Sequence, residues 1–139
     1  MGYVVLAAWL LQGAVGLSML MGWLRRGRRR GGGTIAVHVV SSLLGLALWI
    51  VFLATGALLP AWLALLSITV GNVYGDRMLL GRARRIDPSA ITVWQRYGVA
   101  LSAIFRGKLP PRVAFHALFA GVVYFTCLGV CIGATVAAF

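Results

Sequence analysis

The chain has 139 residues, 61% of them hydrophobic and 11% charged, with a formal net charge of +11. A soluble domain of this size carries about 25% charged and about 45–50% apolar residues, so too little polar surface is present to cover a water-soluble globule. The thirteen basic residues fall in two blocks, Arg25 to Arg30 and Arg77 to Arg112, a distribution that follows membrane topology and excludes a nucleic-acid-binding face.

A helix needs about 20 consecutive apolar residues to cross the hydrocarbon core of a bilayer. The first such run covers residues 3–24 and has no basic residues before it, as a secretory signal would. Its positive charges follow at Arg25, Arg26, Arg28, Arg29 and Arg30, so its C-terminal end is expected in the cytoplasm and its N-terminus outside. Gly31, Gly32 and Gly33 read as a flexible break. The chain then stays uncharged until Asp76, long enough for two spans, 34–55 and 58–76, divided near Gly56 with Pro60 opening the second. Trp62 suits the outer interface.

Residues 77–112 form the second cytoplasmic segment. Asp87-Pro88 reads as an N-cap with proline at the first helical position. Ile91, Trp94, Leu101 and Phe105 recur beyond it at roughly helical spacing, among Gln95, Arg96, Ser102 and Arg106. That pattern predicts an amphipathic surface helix, aromatic residues toward the membrane and arginines toward anionic headgroups; a helix packed on the bundle is the plainer reading. The last span covers 113–137. The expectation is therefore an all-α integral membrane four-helix bundle, up-down-up-down, in the cell membrane with both termini extracytoplasmic.

His38 and His116 carry the most chemistry. Each lies four residues after the start of a span that runs outward from the cytoplasm, at Thr34 and Arg112, and so at matched depth. In such a bundle the second and fourth helices are diagonal, and two imidazoles facing the axis at one level suit the axial positions of a b-type haem. Ser41, Ser42 and Gly45 share the face of His38, and Ala120, Val123 and Cys127 lie near that of His116. These small residues would leave room for a flat macrocycle, with Arg30, Lys108 and Arg112 near its propionates. The arrangement resembles the transmembrane b-type cytochromes, whose second and fourth helices hold haem through histidines. The resemblance implies that His38 and His116 are axial ligands and the chain an electron-transfer subunit. The larger members carry two histidines per helix and two haems, whereas this chain has one histidine on each.

The same histidines would also serve as hydrogen-bonding groups between helices, or handle a proton or metal. Asn72 and Asp76 share a face of the third span, where an ion pair with the basic loop or a cation relay in a small oligomeric transporter is conceivable. Gly71/Gly75 and Gly129/Gly133 have the spacing of close helix packing within the bundle or at an oligomer interface. Gln12 is expected to bond across the bundle. Cys127 and Cys131, one turn apart, form no disulfide framework and behave as small apolar groups or, less simply, as a soft-metal pair. No nucleophile–base pair, phosphate loop or paired carboxylate stands out, which argues against a hydrolase or transferase. A cofactor-free accessory subunit of a membrane complex remains the alternative to a haem protein.

Overall fold

The computed structural model describes residues 1–27 and 31–138. Among these described residues five helices follow one another: α1 (Gly2–Arg25), α2 (Gly32–Thr55), α3 (Leu58–Ile86), α4 (Val93–Phe105) and α5 (Pro111–Val136). All but α4 are long and apolar enough to cross a membrane. At most 28% of any of these apolar windows is buried inside the protein, and large apolar side chains on each of the four are exposed.

Residues on neighbouring helices meet in reversed order. Trp49 of α2 donates its indole N–H to the Gly2 carbonyl of α1, whereas Trp23 of α1 lies beside Gly32 at the start of α2. Between α3 and α5, Trp62 donates to Thr135 and Thr69 lies against the Tyr124 hydroxyl. Helices α1, α2, α3 and α5 thus form a ring in which α2 and α5 are diagonal. Their shared core is built around Trp9, Trp49, Leu65, Ile68, Val123 and Cys127. The α2–α3 seam is close because it is lined by Gly45, Ala64 and Gly71, all buried, so dispersion contacts run between backbones.

The boundaries have local causes. Gly56 ends α2 at φ +69° and returns its N–H to the Phe52 carbonyl at 2.8 Å, a left-handed cap that costs glycine little. Only Gly31 of the glycine triplet lies outside a helix; Gly32 and Gly33 begin α2, because a helix start already forming with the apolar run absorbs them. α3 runs past Asp76 to Ile86, since nothing between Arg77 and Ile86 breaks a helix. Asp87-Pro88 ends α3 instead of opening α4. Proline disfavours helical geometry in the preceding residue, and Asp87 is extended at φ −137°. There its carboxylate accepts bonds from the backbone N–H and hydroxyl of Ser89, which holds its pKa below the usual range.

The true start of α4 is Thr92, whose hydroxyl accepts from the Gln95 backbone N–H while the Gln95 side chain accepts from the Thr92 N–H. This is a capping box. Its far end closes with Lys108 N–H on the Ala103 carbonyl at 2.8 Å and Gly107 N–H on the Ile104 carbonyl at 3.1 Å, a Schellman turn with Gly107 at φ +64°.

Candidate functional site

His38 and His116 meet across the diagonal of the ring. Their ring centres are 6.0 Å apart and nearly perpendicular, at 75°. His38 is six residues past the first residue of α2 and His116 five past that of α5, about 9 Å and 7.5 Å along their helices, so the equal depth read from the sequence brings them together.

Each ring rests on a glycine of a third helix. A Cβ on Gly75 of α3 would lie 3.2 Å from His38 Cε1, and one on Gly16 of α1 would lie 3.1 Å from His116 Cε1. His38 Nδ1 lies 2.7 Å from the Gly71 carbonyl oxygen. A carbonyl only accepts, so Nδ1 carries a proton, and in the neutral ring Nε2 is the nitrogen with the lone pair. Metal-ligating histidines are oriented in this way. The Ser42 hydroxyl donates to the His38 carbonyl at 2.7 Å, and its oxygen would lie 3.1 Å from a Cβ on Gly71.

Gln12 bonds across the bundle, its amide N–H donating to the His116 carbonyl at 2.7 Å. Its own oxygen and His116 Nδ1 are buried without a hydrogen-bond partner among the described residues. Buried polar atoms are nearly always satisfied, so each of these two has unused hydrogen-bonding capacity.

The 6.0 Å between the ring centres is the separation that two imidazoles sharing one metal would have. With each imidazole bonded at about 2 Å, such a pair would place its ring centres about 6 Å apart. Room for the macrocycle differs from expectation. The notch at Gly45 holds Trp9, whose ring atoms would lie 2.9 and 3.0 Å from a Cβ there, and Val123 and Cys127 are sealed in the core. Space beside the rings is therefore closed toward Trp9 and Trp49, away from the basic end. Lys108 lies in the turn before α5 and Arg112 in its first turn, both exposed at the end nearest His116; Arg30 lies outside the described residues.

Asp76 accepts a bond from the Tyr97 hydroxyl at 2.6 Å. Arg77, the next residue of α3, stacks over the Tyr74 ring, 4.7 Å from its centre. The bond to Asp76, reinforced by partial burial and the carboxylate's charge, pushes the Tyr97 pKa up to about 12.

Cys131 Sγ lies 3.5 Å from the Ala61 carbonyl, and both cysteines are buried thiols. Among the described residues no group of three or more His, Cys, Asp or Glu side chains converges as a metal site. Sequence reasoning missed Gly16 and Gly75 as the seats of the two rings, because a glycine within an apolar run carries no sign of what rests against it. No protein-family model, curated protein or solved structure matches the chain.

Proposed function

We propose that the protein is a multi-pass, up-down-up-down bundle of the cell membrane that holds one b-type haem between His38 and His116 and serves as an electron-transfer subunit. Four apolar helices with outward-facing apolar surfaces support the membrane reading. The reversed order in which neighbouring helices meet supports both described basic stretches lying at one end, which the positive-inside rule assigns to the cytoplasm, with both termini outside.

The observation that carries the haem reading is the meeting of two histidines from diagonal helices at 6.0 Å, one of them held by a carbonyl in ligand tautomer. A bound haem would supply one-electron redox chemistry. The chain's own part is to present the two imidazoles and to exclude water with the Trp9–Trp49 core. Protein purified from haem-supplemented cells is expected to show a Soret band at one haem per chain. That band is expected to vanish in both His38→Leu and His116→Leu variants that keep their helical circular dichroism. A colourless wild-type protein would overturn the reading.

A second reading, a cofactor-free accessory subunit, draws on the Gly45 notch filled by Trp9 and on two direct interhelical bonds, His38 to Gly71 and Gln12 to His116. In that case the His38 ring fastens α2 to α3, and Gln12 fastens α1 to the backbone of α5. His38→Leu would then lower thermal stability in a protein that never carries pigment, and a membrane partner would co-purify.

A further inference from the structure

At 13 residues α4 is too short to cross a bilayer, yet one of its faces is bare and aromatic. Trp94 is 82% exposed, Phe105 77% and Leu101 46%, and Ile91 just ahead of the helix is 75% exposed. At 3.6 residues per turn, Trp94, Leu101 and Phe105 fall within about 40° of one another around the axis. This stripe is separate from the face that packs. Ala103 and Ile104 are buried against Leu79, Val113, Ala114 and Ala117, about 130° around the helix from the stripe. Gln95, Ser102 and Arg106 occupy the opposite flank.

Three connections fix where α4 sits. Tyr97 is bonded to Asp76 on α3, the Schellman turn leads within a few residues to Pro111 at the start of α5, and Ile104 packs in the same cluster as Val113. If the four long helices span a bilayer, its headgroup layer lies at this level. The charge of the region is predominantly positive: its two carboxylates, Asp76 and Asp87, are bonded to Tyr97 and Ser89, and Arg96, Arg106, Lys108 and Arg112 follow with no further acidic residue. A two-fold contact between copies through this face would set those cations against themselves, and an anionic lipid surface would be attracted.

We propose that α4 is an interfacial anchor. Ile91, Trp94, Leu101 and Phe105 enter the boundary between headgroups and acyl chains, and Arg106, Lys108 and Arg112 hold anionic headgroups. The proposal rests on the membrane reading above and is independent of haem.

The full-length protein in nanodiscs of anionic lipid tests it, with the Trp94 fluorescence taken as wild type minus Trp94→Phe. The expected signal is blue-shifted, strongly quenched by lipids brominated near the headgroup end of the acyl chain, and weakly quenched by acrylamide. Moving the probe with Trp94→Phe/Phe105→Trp should give the same result. In zwitterionic nanodiscs the bromolipid quenching should fall, as it should for Arg106→Gln/Lys108→Gln in anionic ones. A Trp94 quenched by acrylamide and untouched by bromolipid overturns the anchor. So does protection from both, which indicates a protein partner or a second copy. Failure of the membrane reading is separately visible, as release of the wild-type protein from native membranes by alkaline carbonate.

Discussion

Two glycine pairs with the same four-residue spacing sit in opposite surroundings. Added Cβ atoms at Gly71 and Gly75 would press on Ser42 and His38 at 3.1 and 3.2 Å, whereas at Gly129 and Gly133 they would meet nothing within 4 Å. The latter pair lines an open apolar groove of about 450 Å³ beside Met1, Val4 and Val5, so its packing role within the bundle is not realised. Gly71→Ala and Gly75→Ala are each expected to cost about 1–3 kcal/mol through overpacking. Gly129→Ala should be neutral or stabilise by up to about 1 kcal/mol, since alanine is the better helix former. Thermal melts in detergent separate the two outcomes; equal effects would mean that the α2–α3 seam gives way at little cost. Both spacings were legible in the sequence. Which one is filled was not, because it depends on the residue facing it from another helix.

At the scale of the element, α4 is defined by its ends and by one bond to α3. Thr92→Ala removes the capping hydroxyl and is expected to cost about 1 kcal/mol, seen as faster hydrogen exchange at the first amides of α4 with those of α2 unchanged. Tyr97→Phe removes the bond to Asp76 and should speed exchange along all of α4. The raised Tyr97 pKa gives this contact a pH dependence. The folded protein holds the phenolic proton more tightly than the unfolded chain, so the contribution is complete below about pH 10. It is then lost as pH rises through about 12. Tyrosinate absorbance of wild type minus Tyr97→Phe should therefore titrate near 12, and a midpoint near 10 would show that the bond is not made in solution. The sequence held the capping box in plain view at Thr92 and Gln95. The Asp87-Pro88 pair drew attention from it, since aspartate before proline serves equally well to end one helix or to begin another.

For the whole molecule the decisive quantity is orientation. Ala57→Cys, in the α2–α3 turn, and Arg84→Cys, near the end of α3, both create exposed thiols, while Cys127 and Cys131 are buried. A membrane-impermeant maleimide is expected to label Ala57→Cys on intact cells and Arg84→Cys only after permeabilisation, with the parent chain unlabelled. The reverse pattern would turn the bundle over and leave the positive charges outside.

Composition and the run lengths between charges determined four long apolar helices and their approximate limits, save the end of α3, which runs ten residues past the expected 76 to Ile86, because backbone polar groups in an apolar run are satisfied within a helix. The same reading reached His38 and His116, since equal distance from a helix start translates directly into equal height. Only the tertiary structure decided how far apart the rings stand, that each rests on a glycine of a third helix, that Trp9 fills the notch at Gly45, and that Asp76 is held by Tyr97. These depend on how each helix is rotated about its axis. In runs apolar on every side the sequence carries little record of that rotation, and packing against neighbours sets it.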